Sequence, residues 1–346
     1  MMPYRILQGS FELLDQRRLP HQVVFHRMES GRDIYSAIET MVVRGAPCIG
    51  VAARWGMLLA LKKNGDHHLN LTFLNQTATW LKQARPTAVN LAFEIDRVVN
   101  LLLPIEPSRW VVVLEDYISQ QERLETEKLD QLTSFGAIYL QRLFELKQKK
   151  LTLMTHCNTG RLACGPEGTA LGVIEKAYSQ GLVEKVFVDE TRPYLQGTRL
   201  TSFELTQAKI PHQIVVEGAA SYILGNHGVD AILVGADRIV SNGDTANKVG
   251  TSGLAIIAQY YQVPFVVVAP RSSYDFSLSQ GGNIPIEMRE ETEILKQGEL
   301  WLSHPEARAL NPSFDVTAAE HITAHISEYG IFHAPFVNSL ATMGNK

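Results

Sequence analysis

Three turns of this chain place residues where acid–base chemistry beside a phosphate group could be done. The first is Thr155-His156-Cys157-Asn158-Thr159-Gly160, which closes an apolar run and ends in glycine. A thiol at such a turn, near a helix start, can be held as thiolate by the helix dipole and backbone N–H groups. The plainer reading makes Cys157 a small buried hydrophobe, and position alone leaves both open. His156 precedes it by one residue, so strand alternation sends its ring to the other face, as a satisfied structural histidine. Cys48 and Cys164 lie in Ala/Gly-rich apolar settings and read as packing.

The second turn is in AILVGADRIVSNGDTANKVGTSG. A buried strand over 231–235 delivers Asp237, followed by Arg238. Asp237 is either a carboxyl with a raised pKa or a structural partner of Arg238. Asn242-Gly243-Asp244 makes a turn. Asn247 and Lys248 then lead through Gly250-Thr251-Ser252-Gly253 into a helix, where a lysine and backbone N–H groups could take a phosphate. The third is VDETRPYLQGTRLTSFEL, in which Gln196-Gly197-Thr198-Arg199 precede a helix. Its polar groups suit sugar hydroxyls or phosphate, and Glu190 with Arg192 could equally be an ion pair shaping the loop. Farther upstream, Arg44-Gly45-Ala46 and Arg85-Pro86-Thr87-Ala88-Val89-Asn90 each put an arginine at a helix entrance. Arg matches phosphate oxygens in a fork; either arginine could instead be a surface ion pair.

The elements that must position these residues differ between the halves. Residues 1 to about 150 read as mostly helical: Ile34, Ile38, Met41 and Val42 recur on one helical face, Arg44 to Pro47 interrupt, and CIGVAARWGMLLALKK resumes a buried helix. DQLTSFGAIYLQRLFELKQKK is a further amphipathic helix with a basic last turn. From about 151, β-rich runs recur at 151–156, 185–189, 213–216, 231–235 and 264–269, separated by helical GTALGVIEKAYSQG and TSGLAIIAQYYQ. Strands alternating with helices indicate βαβ units and a parallel sheet covered on both faces, with ligands bound beyond the C-terminal strand ends. The expectation is an α/β chain with two domains, 1–150 and 151–346.

Composition narrows the function classes. The 346 residues are 45% hydrophobic and 20% charged, an ordinary globular balance. A formal net charge of −4 argues against a dedicated nucleic-acid binder. Three cysteines cannot all pair within one chain and fit a reducing compartment. No run approaches a membrane span, and the first residues lack the basic-then-apolar order of a secretion signal; the expectation is a soluble cytoplasmic protein. Two glycosylation sequons, at Asn70 and Asn75, carry weight only in a secreted chain. With no GxGxxG, Walker A, CxxC, HExxH or GxSxG pattern, the chemistry is expected to need neither nicotinamide nor a tightly held metal.

RGAPCIGVAA, RPTAVNLAF, THCNTG, DETRPYLQGTRLTSFEL, GADRIVSNGDTANKVGTSGLAI and IPIEMRE together resemble the methylthioribose-1-phosphate isomerases. Their superfamily also holds ribose-1,5-bisphosphate isomerases and the alpha, beta and delta regulatory subunits of translation initiation factor 2B. The resemblance runs from about residue 13 to 323. It implies a mainly helical N-terminal domain and a Rossmann-like C-terminal domain with a parallel sheet, assembled as a homodimer. It implies interconversion of 5-methylthioribose 1-phosphate and 5-methylthioribulose 1-phosphate in methionine salvage, with no cofactor. The catalytic cysteine falls on Cys157 and the catalytic aspartate on Asp237. Substrate-binding residues fall on Arg44, Gly45, Ala46, Arg85, Gln196, Asn247 and Lys248. The chain departs from the usual pattern at NTGRLACGPEG, which introduces Arg161 and Glu167, at Asp189 where a cysteine is common, and at IPIEMRE. These departures bear on the pocket for the 5-substituent. Another 1-phosphorylated pentose, such as 5-deoxyribose 1-phosphate or ribose 1,5-bisphosphate, and a non-catalytic regulatory subunit are the alternatives.

Overall fold

A computed structural model of the chain describes residues 1–65, 68–85 and 89–344. The chain divides into two compact units, Met1–Leu129 with Arg161–Gly168, and Asp130–Gly160 with Thr169–Lys346.

The first unit opens with an antiparallel sheet, β1 (Tyr4–Leu7), β2 (Ser10–Leu14) and β3 (Phe25–Met28), in a half that reads as mostly helical. Its strands are four or five residues long, too short for alternation to stand out. Helices follow. In α1 (Gly31–Glu39) Ser30 accepts the Asp33 amide as cap, and Ile34 and Ile38 point inward as their spacing predicts. Next come α2 (Ala46–Asn64), α3 (Leu71–Lys82), α4 (Val89–Leu102) and the 38-residue α5 (Trp110–Lys147). Asn70, from the first sequon, accepts the Phe73 amide as the cap of α3. Phe11 stacks on Trp55 with centroids 4.6 Å apart, tying the small sheet to α2.

The two units divide within α5 rather than at residue 150. Leu132 and Leu140 of that helix pack with Leu151, Leu153 and Ile174, so its C-terminal part shares the core of the sheet beyond it. That sheet is built from β4 (Leu151–His156), β5 (Val183–Asp189), β6 (His212–Val215) and β7 (Ala231–Val234). The intervening helices are α6 (Arg161–Cys164), α7 (Ala170–Ser179), α8 (Ser202–Gln207) and α9 (Ala220–Asn226). A hairpin, β8 (Arg238–Val240) and β9 (Thr245–Lys248), leads to α10 (Thr251–Tyr260) and β10 (Phe265–Val268). Short elements β11 (Tyr274–Asp275), α11 (Thr292–Leu295), β12 (Lys296–Gln297), β13 (Leu300–Trp301) and β14 (Phe314–Thr317) precede β15 (Ala324–Ser327), β16 (Gly330–Phe332) and α12 (Phe336–Gly344).

The main sheet has the order β16-β15-β10-β7-β4-β5-β6, all parallel except the β16 edge. Counted along the chain, its parallel strands run 3-2-1-4-5-6. Chain direction across the sheet therefore reverses between β4 and β7, the place where doubly wound sheets open a crevice. The five expected strands all form. β15 was not expected, because His325 and Ser327 interrupt its apolar pattern, yet both are fully buried.

His325 carries a pH consequence. Its ring lies against Phe336, centroids 4.6 Å apart, and its Nε2 donates to the Gly243 carbonyl at 3.1 Å. Burial pushes its pKa from 6.5 down to about 3. Below pH 6.5 the unfolded chain takes up a proton that the folded chain refuses. Stability is therefore lost as pH falls from about 6.5 toward about 3, by up to about 1.4 kcal/mol per pH unit. Urea unfolding at a series of pH values should show that slope, and His325→Gln should flatten it.

Candidate active site

Cys157 stands directly after the last residue of β4, a strand buried along its whole length, and is itself buried. Its φ is +62°, the left-handed region that a non-glycine residue occupies at a cost of about 1–3 kcal/mol. The surroundings hold it there. Thr201 Oγ1 donates to the Cys157 carbonyl at 2.6 Å. Asn158 Nδ2 donates to Thr201 Oγ1 at 3.2 Å and to Glu204 Oε1 at 2.9 Å. Gly160 completes the turn, because a Cβ there would lie 2.2 Å from Glu204 Oε2. Gly160→Ala should therefore displace Glu204 and lower stability by about 1–3 kcal/mol, read as a fall in the denaturant midpoint. The next helix in sequence, α6, is a single turn of four residues, so the thiol has no long helix start directly beyond it in the chain.

Asp237 lies just past β7, which is also buried throughout. Its amide donates to the Ala246 carbonyl at 3.0 Å and starts the β8–β9 hairpin. Arg238 lies 3.5 Å from Asp275, the carboxylate it pairs with. The Asn242-Gly243-Asp244 turn forms as expected, with Asn242 Oδ1 accepting the Asp244 amide at 3.0 Å and Gly243 at φ +93°. Asn247 and Lys248 end β9 as strand residues, both buried. Burial lowers the Lys248 pKa; the charges of Cys157 first, then Asp237, Glu217 and Glu293, pull it back. One ammonium thus stands within electrostatic reach of both the thiol and the carboxyl.

The phosphate site expected at the start of α10 needs correction. Gly250, at φ +102°, caps this helix, but the Gly250 and Ser252 amides donate to the Asp315 carboxylate at 2.8 and 3.1 Å. Those two donors are therefore already taken, and a carboxylate rather than phosphate answers that end of the helix dipole. Asn247 instead donates to Thr251 Oγ1 at 3.0 Å, and Thr251 Oγ1 donates to the Lys248 carbonyl at 2.6 Å. This pair fixes the backbone that carries Lys248.

Gln196 lies beyond the end of β5, buried, and its Oε1 accepts from Thr191 Oγ1 at 2.9 Å. It precedes a π-helical segment, Gly197–Thr201, where a Cβ on Gly197 would sit 2.4 Å from the Asp189 carbonyl. Such π-segments recur at functional sites. Glu190 and Arg192 take separate partners. Glu190 accepts the Thr191 and Thr198 amides at 2.5 and 3.0 Å, and Arg192 donates to the Ile294 carbonyl at 2.7 Å. A cluster that the sequence reading did not assemble forms around Tyr194, two residues after Arg192. Tyr194 donates to Glu293 at 2.6 Å, and Arg289, from IPIEMRE, holds both Glu293 oxygens and the Tyr194 hydroxyl. Residues about a hundred positions apart meet there, so spacing carried no signal for it.

The remaining site residues belong to the first unit. Arg44 is buried. Gly45, at φ +93°, caps α2, and a Cβ there would lie 2.3 Å from the Ala163 carbonyl oxygen, so only glycine fits. Ala46 opens α2, with Pro47 beside it in the first turn. Arg85 is half-buried beyond α3, while Pro86, Thr87 and Ala88 of its motif lie outside the described residues. Arg161 and Glu167 face each other at 3.9 Å. The second unit thus carries Cys157 and Asp237 beyond the strand ends that flank the switch point, Asn247 and Lys248 at the end of β9, and Gln196 beyond β5; Arg44, Gly45, Ala46 and Arg85 are carried by the first. Among the described residues, no group of three His, Cys, Asp or Glu side chains could hold a metal ion, and no helix is long and apolar enough to cross a membrane.

Comparison with known proteins sets this arrangement in a family. The initiation factor 2 subunit family matches residues 42–334. The methylthioribose-1-phosphate isomerase of Nostoc punctiforme is 42% identical over 325 residues, covering 93% of this chain and 91% of its own. Among solved structures, the 5-methylthioribose 1-phosphate isomerase of Pyrococcus horikoshii matches with a TM-score of 0.89 at 32% identity, covering 99% of this chain and 96% of its own. The delta subunit of translation initiation factor eIF-2B from A. fulgidus matches with a TM-score of 0.85 at 29% identity, over 100% of both chains. The chain belongs to the initiation factor 2 subunit family and, within it, to the methylthioribose-1-phosphate isomerases.

Proposed function

We propose that this chain interconverts 5-methylthioribose 1-phosphate and 5-methylthioribulose 1-phosphate, the aldose–ketose isomerisation of methionine salvage. The observation that carries the reading is the buried Lys248 ammonium within charge reach of both Cys157 and Asp237, at the C-terminal ends of β4 and β7. A binding module has no need of a thiol and a carboxyl so arranged. The second unit supplies the chemistry and is Rossmann-like; the protein works as a homodimer in the cytoplasm. In the second unit Lys248 neutralises the phosphate, and Gln196 and Asn247 complete its contacts to the sugar phosphate; Arg44, Gly45, Ala46 and Arg85 are the substrate-binding residues that the family likeness assigns to the first unit. Binding energy from the phosphate orients the reacting carbons.

Phosphate on O1 blocks ordinary ring opening, so acid assistance comes first. Asp237 donates a proton to the ring oxygen as its bond to C1 breaks. The Cys157 thiolate, favoured by the nearby ammonium, takes the proton from C2, and the electron pair forms a C1–C2 double bond. Cys157 then returns the proton to C1 while the Asp237 carboxylate removes the proton from O2. The ketone forms, and both groups regain their starting states. A direct hydride shift from C2 to C1 is the competing route, with Cys157 as a polarising group. Turnover in deuterium oxide tests for the first route: solvent deuterium on C1 of the ketose establishes proton transfer through an exchanging thiol, whereas a hydride shift carries the C2 hydrogen to C1 without exchange. The full-length likeness to a factor subunit keeps one second reading in play. Native mass spectrometry tests it, since a homodimer alone fits the enzyme and assembly with sister subunits fits the factor.

A further inference from the structure

His156 is wholly buried beside Cys157 in the chain, and both of its ring nitrogens face acceptors. Its Nδ1 lies 2.7 Å from Asp189 Oδ2, and its Nε2 lies 3.0 Å from the Val249 carbonyl oxygen. A carbonyl oxygen only accepts, so Nε2 carries a proton. Whether Nδ1 also carries one depends on the charges around the ring. Asp189 faces it from the end of β5. Its other oxygen, Oδ1, is buried without a hydrogen-bond donor among the described residues, so the Asp189 charge is answered through the histidine. Burial raises the pKa of Glu217, after β6, and of Asp315, on β14, and His156 stands within electrostatic reach of both. Lys248, on β9, is the neighbouring cation and acts on Glu217. Nδ1 faces one oxygen of a carboxyl group at hydrogen-bond distance, so a proton lies between the two.

The ring also shapes the chain on its far side. A Cβ on Gly250 would lie 2.8 Å from His156 Cε1, so the turn between Lys248 and α10 closes directly on the imidazole. His156, the peptide neighbour of Cys157, is therefore tied to Val249, the peptide neighbour of Lys248. We propose that His156 is a positioning residue: Asp189 holds its ring, and the ring clamps the Val249 carbonyl and so sets Lys248 against Cys157. The proposal rests on the reading that Cys157 and Lys248 act on the substrate. It also gives Asp189, which stands where a cysteine is common among the isomerases, a role in this chain.

Histidine-selective nitrogen-15 NMR on the full chain tests it without reference to turnover, with the His156 signals assigned by their loss in His156→Gln. The expected spectrum shows the His156 Nε2 proton held in its hydrogen bond and slow to exchange with solvent; in Asp189→Asn that proton exchanges faster. Kinetics provide the second arm. Asp189→Asn should lower kcat/KM by about 10- to 100-fold, mostly through KM, as misplacement of a positioning group does. A His156 Nε2 proton that exchanges equally fast in wild type and Asp189→Asn overturns the proposal, as does an unchanged KM in Asp189→Asn. A chain that turns over no sugar phosphate would remove the enzymatic reading, while the spectrum still decides the state of His156.

Discussion

Cys157→Ser should lower kcat by about a thousandfold, within the range that general acid–base groups contribute, while leaving the fold intact. The hydroxyl replaces the thiol almost atom for atom, so the turn held by Thr201, Asn158 and Glu204 keeps its hydrogen bonds. The change is one of acidity: a serine hydroxyl beside Lys248 cannot be a base near neutral pH, whereas a thiol can. Steady-state ketose formation measures the loss. Circular dichroism and the denaturant midpoint should match wild type. Turnover at the wild-type rate in the purified variant would remove Cys157 from the mechanism.

Asp237→Asn should have an effect at least as large, about 10³- to 10⁴-fold in kcat, because no ring opening precedes it. The amide has the shape of the carboxyl but cannot give up a proton to the ring oxygen. Its loss also takes one compensating charge from the buried Lys248, whose own pKa should fall further. Deuterium exchange into recovered substrate separates the two variants from a binding defect: neither should exchange C2 in either direction at saturating substrate. An Asp237→Asn enzyme that exchanges and converts normally would assign the acid role elsewhere.

Much of the second unit was legible because parallel strands buried on both faces read as continuous apolar runs. β4, β7 and β10 are uniformly buried, and each was visible from its residues. Cys157 and Asp237 stand just beyond two of these strands, at the end of a parallel sheet where ligands bind, and were legible for that reason. Elements that mix polar and apolar residues without a clean period stayed hidden: β15 with its buried His325 and Ser327, the β8–β9–β14 ribbon, and the small N-terminal sheet. The division of the chain within α5 was hidden too, since one continuous helix serves both units.

Within the site, the misread feature was the start of α10. Gly250-Thr251-Ser252-Gly253 has the residues of a phosphate loop, and nothing local indicates that Asp315 returns, more than sixty residues later, to take its amides. His156 was read as a satisfied structural histidine, and its hydrogen bonds to Asp189 and Val249 agree. Its partners come from strand pairing and from the α10 turn, which only the fold brings together. Sequence spacing therefore located the groups that end strands and left out the groups that answer them across the sheet.

The most direct test of the isomerase reading is ketose formation by the purified protein, with no added metal or nicotinamide. 5-Methylthioribose 1-phosphate, 5-deoxyribose 1-phosphate and ribose 1,5-bisphosphate would be offered in parallel. The expected result is a clear preference for 5-methylthioribose 1-phosphate. That result would also make the departures at Arg161, Glu167 and Asp189 compatible with its 5-substituent. Preference for another of the three would keep the chemistry and contradict the substrate, and no turnover of any would contradict the enzyme itself.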